Sequence, residues 1–286
     1  LDEMVFRACS LAPHLRKDKL NPAFQIDRER DMIMLHSTGS QDSGAFVSAL
    51  ASAAGVEADA LVGYDLFFAD IQSSRVIGAR QEFLSAPRLD NLFSTWAALS
   101  TIVALPSQST RTAVVAIFDA EEIGSQTWAG ARSTLLDSVL TRTTESYGDK
   151  GAEMSFRARA NSVLASLDMA HADHPAHGET IDPDHVPAMN EGIAIKGGSR
   201  GNYAIAPLAT SRFVEACERE NVPLQKFMYR CDHGGGSSVG PISSSALGIA
   251  GFDLGAPLVS MHSIREVAGV RDISLCQAAL NTFYQH

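Results

Sequence analysis

One stretch of the sequence, RTAVVAIFDAEEIGSQTWAG at residues 111–130, constrains the fold most, because an apolar run there ends directly in acidic residues. The uninterrupted apolar residues 114–118 predict a strand with both faces buried. Asp119, Glu121 and Glu122 follow at its carboxyl end, where open α/β sheets bind ligands. Carboxylates crowded beside a core strand repel one another unless a cation or a shared proton compensates them. The stretch therefore favours a metal site, with a solvated acidic turn before a helix N-terminus as the alternative.

Further candidate ligands lie at the ends of other predicted elements. Asp90 comes just before an apolar helix predicted at residues 92–105, and Asp168 ends a second buried strand predicted at residues 161–167. His262 is a third candidate, late in the chain. Carboxylate oxygens combined with one or two imidazoles suit zinc, manganese or cobalt better than copper or an iron–sulfur cluster. These positions predict one metal site assembled from distant parts of the chain.

The adjacent Glu121 and Glu122 indicate what such a site could do. Two cations about 3.5–4 Å apart need a bridging carboxylate and terminal ligands on either side. Because neighbouring side chains at a strand end point apart, one glutamate can hold metal while the other faces the metal-bound water. The metal lowers the pKa of that water and polarises a carbonyl, and the free glutamate takes the proton. The pattern is typical of metal-assisted amide hydrolysis.

Two other motifs offer different chemistry. HGGGSS, which begins at His233, could be a phosphate loop or an oxyanion motif, but the Lys-Ser/Thr pair that completes a phosphate loop does not follow it. The histidine-rich segment at residues 168–185 could be a separate zinc site. Its histidines are His171, His174, His177 and His185. Its irregular spacing and its prolines indicate instead a loop over the active site.

The composition excludes several classes of protein. With 45% hydrophobic and 20% charged residues over 286 positions, the chain is globular rather than disordered. No apolar run approaches the roughly 18–20 residues that cross a bilayer. A net charge of −10 argues against nucleic acid or an anionic membrane as a partner. The 4 cysteines are too scattered for a CxxC metal pattern and too few for a disulfide scaffold, so we expect buried reduced thiols and a cytoplasmic location.

The pattern of elements divides the chain near Gly63. Residues 1–63 lack a dense strand pattern and predict a smaller accessory unit, in which residues 45–54 favour a helix that ends at Gly55. From residue 64 onward, buried strands alternate with helices, which is the signature of an α/β domain.

Three local patterns add detail to the larger domain. YDLFFADIQ, at residues 64–72, favours a strand. Ser263 and Glu266 have the three-residue spacing of a capping box, which predicts the start of a helix after His262. Residues 274–284 have the amphipathic pattern of a final helix.

The motifs APRLDN, FDAEEIGS, LDMAHADHP, NEGIAIK, GPISSSALGI and DLGAPLVSMHSIRE together resemble the aspartyl aminopeptidase family of co-catalytic zinc exopeptidases. They lie within residues 64–286, and SLAPHLRKD near the start of the chain resembles the dimerisation domain of the same family. The resemblance implies an α/β catalytic domain at residues 64–286, with a mixed sheet flanked by helices. Residues 1–63 would then be part of the dimerisation domain.

The same resemblance implies roles for individual residues. Asp90 matches the aspartate that bridges the two zinc ions of each subunit, and Glu121 matches the general base. Manganese or cobalt could substitute for the zinc. Terminal metal ligands are matched by Glu122, Asp168 and His262. The positions that match substrate contacts are His14, His171, Lys196 and Tyr203. His14 matches a histidine that reaches into a neighbouring subunit's active site. Lys196 could pair with an acidic side chain of the substrate.

The implied function is an aminopeptidase that removes the N-terminal residue, preferably Asp or Glu, from peptides. In the family, subunits form dimers that assemble into a tetrahedral dodecamer, and the expected location is the cytoplasm, with the vacuole as the alternative. Asn202 stands where the family commonly has an arginine before the tyrosine, so an aminopeptidase of the vacuolar type, acting on neutral residues, is an alternative.

The resemblance also implies a metal-binding histidine in a His-any-Asp motif ahead of the dimerisation domain, and nothing in this sequence matches it. Because the chain begins at Leu1, we expect it to be part of a longer protein or a processed form. A truncated, non-catalytic assembly subunit is therefore a second alternative.

Overall fold

The computed structural model describes residues 6–8, 27, 29–38, 43–106, 111–148, 152–232 and 235–285. The chain forms two compact units, Leu1–Phe68 and Ala69–His286. Of the helices in the described part of the chain, none has the length and apolar character needed to cross a bilayer.

The first unit contains a short antiparallel strand pair and one helix. Strand β1 (Arg7–Ala8) pairs with β2 (Met34–Leu35), and α1 (Ser43–Ala54) follows. The helix ends at Gly55, whose φ of 70° is the left-handed conformation that favours glycine. The helix and glycine predicted for this unit are therefore confirmed. Large apolar side chains exposed in this unit include Met32, Ile33, Leu35, Val62 and Phe67.

The second unit combines strands and helices along its whole length. Its helices are α2 (Leu89–Ala104), α3 (Leu135–Ser146), α4 (Ala152–Ala160), α5 (Pro207–Arg219), α6 (Val239–Leu247) and α7 (Val270–Gln285). Its strands are β3 (Arg75–Ile77), β4 (Phe83–Ala86), β5 (Val163–Leu167), β6 (Ala170–His171), β7 (Ile193–Gly197), β8 (Leu224–Met228), β9 (Ala250–Gly255), β10 (Pro257–Val259) and β11 (Glu266–Gly269).

These strands form two mixed sheets. One has the order β5-β9-β7-β8, in which β5 and β9 are parallel, β9 and β7 antiparallel, and β7 and β8 parallel. The other has the order β3-β4-β11-β10-β6, with β6 and β10 parallel and the other pairs antiparallel. The prediction of an α/β fold with a mixed sheet flanked by helices is confirmed.

The main core is built from one face of each of α2, α5 and α7 against strands of both sheets. In α5 and β9, the rings of Phe213 and Phe252 stack with centroids 4.9 Å apart. Each ring stabilises the fold by about 1.5–3 kcal/mol through burial. Cys217 and Cys276 are buried free thiols, as predicted, whereas Cys231 is free but exposed.

Three predictions of local structure are wrong. Residues 112–118 pair with no strand among the described residues, and Val114 and Ile117 are 45% and 53% exposed, so apolar composition alone does not bury this run. Residues 64–72 form no strand either. No helix begins after Ser263, because Glu266 instead starts β11. Its carboxylate accepts hydrogen bonds from the backbone N–H groups of Asp90 and His262.

Candidate metal centre

Three of the predicted ligands meet at one place. Asp90 lies at the irregular start of α2, Glu122 in a short 3₁₀ turn at Glu121–Ile123, and His262 in the loop between β10 and β11. His262 Nε2 lies 3.1 Å from Asp90 Oδ2 and 3.1 Å from Glu122 Oε1. One ligand atom of each residue falls within 4.8 Å of the others, which is close enough for one cation to bind all three.

Asp168 adds a third carboxylate to this group. It follows β5, its backbone N–H donates to the Leu254 carbonyl on β9, and its side chain contacts that of Asp90. A Cβ on Gly255 would collide with the Asp168 carbonyl oxygen, so only glycine lets β9 approach this closely. Lys196 Nζ, on β7, donates to Asp168 Oδ2 at 3.0 Å. The sheet thus places Asp168 beside the other ligands.

The electrostatics of the group favour a cation. Burial raises the pKa of Asp90 to about 8, and the nearby carboxylates of Asp168, Glu122 and Glu266 add to the effect. The donor set of carboxylate oxygens and one imidazole fits zinc, and it also suits manganese or cobalt. A divalent cation would replace the proton that Asp90 otherwise holds near neutral pH.

The neighbouring Glu121 has different surroundings from Glu122. Ala120, at φ 59°, turns the chain sharply so that the two glutamates begin the 3₁₀ turn. Glu122 contacts His262. For Glu121, burial raises the pKa, and the charges of Asp168 and Glu122 raise it further. A carboxyl group that is half-buried beside metal ligands, with a pKa raised toward neutrality, can act as a general base.

Two of the predicted substrate contacts lie on strands, Lys196 on β7 and His171 on β6, and Tyr203 lies in the segment before α5. Lys196 is 2% exposed, and its Nζ lies 5.3 Å from the centroid of the Tyr203 ring. Burial, with the charges of Lys196 and His262, lowers the pKa of His171, so its ring is neutral at pH 7. Burial also raises the pKa of Tyr203, which remains a neutral phenol. His14 lies outside the described residues.

The histidine-rich segment lines a cleft. A cavity of about 350 Å³ is bordered by His171, His174, His177, Thr180 and Tyr229. Among the described residues, Asp90, Glu122 and His262 form the only group of three or more potential ligands close enough to share an ion. The structure therefore gives no support to a separate zinc site in this segment.

Two buried carboxylates near the centre could not be recognised from the sequence. Glu266 accepts hydrogen bonds from the backbone N–H groups of Asp90 and His262. Asp253 accepts one from the backbone N–H of Ala204 and one from the side-chain hydroxyl of Ser238, both at 2.6 Å. Ser238 is 2% exposed and its hydroxyl is committed to this bond, so it is not placed as a nucleophile. The sequence marks Glu266 only as a residue with the spacing of a helix cap, and Asp253 only as an acid inside a short apolar run.

The chain is similar in sequence to a family of known proteins. The family model described as aminopeptidase I zinc metalloprotease (M18) matches residues 1–284. A probable M18 family aminopeptidase 2 of Clostridium novyi is 37% identical over 279 residues, which is 96% of this chain and 64% of that relative. The chain thus spans just under two thirds of this relative's length.

Solved structures show the same fold. The structure of the Ape4 and Nbr1 complex matches with a TM-score of 0.91 and 29% identity, over 100% of this chain and 58% of that one. The mApe1 dodecamer of S. cerevisiae matches with a TM-score of 0.79 and 26% identity, over 99% of this chain and 62% of that one.

Proposed function

Because the chain belongs to the M18 family of aminopeptidase I zinc metalloproteases, we propose that its metal centre removes the N-terminal residue from peptides. The observation that carries the proposal is the meeting of Asp90, Glu122 and His262, with Asp168 in contact with Asp90. These ligands come from separate segments of the chain and have no evident structural reason to crowd together. The protein would therefore be a hydrolase.

The proposed centre holds two zinc ions, with manganese or cobalt as possible substitutes. Asp90 contacts both His262 and Asp168, and its carboxylate would be the ligand shared by two cations. Glu122, Asp168 and His262 are the terminal ligands. When bound, zinc supplies Lewis acidity that activates water and polarises the scissile carbonyl.

The residues of the chain carry the proton and orient the peptide. Glu121 accepts a proton from the attacking water and later donates it to the leaving amine. Its raised pKa brings its proton affinity closer to that required at neutral pH. His171, Lys196 and Tyr203 contact the substrate, and His14 is proposed to do so in a neighbouring subunit.

We propose a preference for Asp or Glu at the first position. Lys196 supports it as a buried cation beside the ligand group. The Asn202 amide, however, donates to the carbonyls of Gly235 and Gly236, so it does not replace the arginine that a stronger acidic preference would use. This contact favours the second candidate, an aminopeptidase that acts on neutral residues.

A series of peptides that differ only in their first residue separates the two candidates. We expect kcat/KM to be roughly tenfold to a hundredfold higher for Asp or Glu than for Leu, because a hydrogen bond to a charged group contributes about 1.5–3 kcal/mol. Lys196→Met should remove most of this ratio, while Lys226→Met, which changes an exposed lysine on the adjacent strand β8, should preserve it. A wild-type ratio that favours Leu would support the neutral-residue enzyme.

We further propose that the protein is a homo-oligomer of dimers that assemble into a tetrahedral dodecamer, with residues 1–63 as part of the dimerisation domain. Support comes from apolar side chains exposed within this range, such as Val62 at 100% and Ile33 at 69%. Free thiols at Cys217, Cys231 and Cys276 favour the cytoplasm over the vacuole.

Sedimentation velocity tests the proposed assembly. We expect a species larger than the monomer, because isolated large apolar patches are rarely left open to water. Ile33→Glu should shift it toward smaller species, whereas Tyr147→Glu, which changes an exposed aromatic residue of the second unit, should not. A wild-type protein that sediments as a monomer at all concentrations would contradict the proposal.

A further inference from the structure

Glu266 connects the backbones of two proposed metal ligands. It is the first residue of β11 and is 2% exposed. Its Oε2 accepts a hydrogen bond from the Asp90 N–H at 2.9 Å, and its Oε1 accepts one from the His262 N–H at 2.7 Å. Asp90 and His262 lie 172 positions apart in the sequence, so this carboxylate joins segments that have no local connection.

Both ligands lie on irregular backbone that regular secondary structure does not fix. Asp90, with φ −81° and ψ 107°, is not helical although it lies at the start of α2. His262 has a φ of 63°, a left-handed conformation that costs a residue with a side chain about 1–2 kcal/mol. Charge-assisted hydrogen bonds to a carboxylate are roughly twice as strong as neutral ones, so Glu266 can hold both positions.

Glu266 itself rests on a rigid base. Its strand pairs with β4, where Glu266 lies opposite Ala86, and with β10 through Val259 and Val267. The loop that carries His262 is the connection between β10 and β11, and Glu266 closes it. The sheet therefore fixes the carboxylate, and the carboxylate fixes the two ligands.

We propose that Glu266 is a positioning residue that sets the spacing and orientation of Asp90 and His262 for metal binding. The inference rests on the proposed metallopeptidase function but concerns zinc binding, which is measured separately from peptide cleavage. A carboxylate is required because both of its oxygens act as acceptors. The amide of glutamine accepts through one oxygen only and would turn its N–H₂ group toward the second N–H donor.

The experiment measures zinc affinity by competition with a chromogenic chelator, together with thermal unfolding of the zinc-free and zinc-loaded protein. We expect Glu266→Gln to weaken zinc binding roughly 10–100-fold, the range found when residues that orient metal ligands are changed. Glu266→Asp keeps the charge but is too short to reach both donors, so it should also weaken zinc binding. At saturating zinc, both variants should lower kcat with little change in KM.

The control is Glu82→Gln. Glu82 lies just before β4 of the same sheet, and its carboxylate accepts a hydrogen bond from the Arg80 N–H. It should leave zinc affinity unchanged. Wild-type zinc affinity in both Glu266 variants would overturn the proposal. So would equal losses of thermal stability in the zinc-free and zinc-loaded forms, because that result indicates a structural role only. If the glutamine variant does not fold, the aspartate variant decides between these outcomes.

The proposed function can fail without this inference failing. A wild-type protein that binds zinc but cleaves no peptide would remove the peptidase assignment, while the zinc affinities of the Glu266 variants would still test the positioning role. Conversely, unchanged zinc affinity in active variants would reject the positioning role alone.

Discussion

Glu121→Gln should lower kcat by a factor of about 10² to 10⁴ while leaving the zinc content of the protein unchanged. The amide keeps the size of the side chain and cannot accept the proton of the attacking water. Glu121 is not among the groups that meet within 4.8 Å of one another, so its replacement leaves those ligands in place. Steady-state kinetics and metal analysis on the same preparation provide the two readouts.

Its neighbour supplies the matched control. Glu122→Gln makes the same chemical change one residue away, but Glu122 contacts His262, so this variant should lose both zinc and activity. If Glu121→Gln retains a rate within tenfold of the wild type, the assignment of Glu121 as the general base is wrong.

Replacing Asp90 by Ala should have the largest effect on metal binding. Asp90 lies between His262 and Asp168, and its side chain is 5% exposed. Without Asp90 the proposed pair of cations loses its shared ligand. We expect this loss to remove several kcal/mol of transition-state stabilisation, which lowers turnover roughly a thousandfold. We expect zinc per chain to fall from about two toward zero, measured by mass spectrometry of the metal after gel filtration.

Asp119 provides the control for this change. It belongs to the same acidic stretch, but its carboxylate accepts the hydrogen bond of the Ala120 N–H. Asp119→Ala should therefore keep the zinc content of the wild type. A wild-type protein without bound zinc would instead favour the non-catalytic assembly subunit.

The pKa of Asp90 also gives the pH dependence of zinc binding. Burial raises that pKa to about 8 in the metal-free protein, so below this pH a proton must leave before zinc can bind. Zinc affinity should therefore rise with pH up to about 8 and change less above it. A pH-independent affinity in the wild type would contradict this account.

The sequence predicts the carboxylates of the candidate metal centre because each of them follows a recognisable local signal. Asp90 precedes a helix and Asp168 ends a strand, and both elements are present as α2 and β5. Adjacent acids such as Glu121 and Glu122 are uncommon beside an apolar run. These signals depend on short-range patterns, which is why they could be read without the fold.

Other features depend on distant partners and could not be read. The run at residues 112–118 is apolar enough for a core strand, yet burial requires neighbouring strands that no local pattern specifies. Glu266 has the spacing of a helix cap, but its partners are backbone N–H groups of Asp90 and His262. Because every residue except proline has such a group, the side-chain sequence gives no sign of this contact.

The residue before Glu266 bears on how the second unit could be shortened. Arg265 donates to the Asp70 carboxylate at 2.9 Å and to the carbonyls of Gln72 and Ser73 at 2.9 and 2.7 Å. Residues 70–73 belong to no helix or strand and would look dispensable in the design of an expression fragment. A truncation that starts after Ser73 would remove every one of these acceptors and loosen the turn that carries His262, so the smallest working fragment must begin before Asp70.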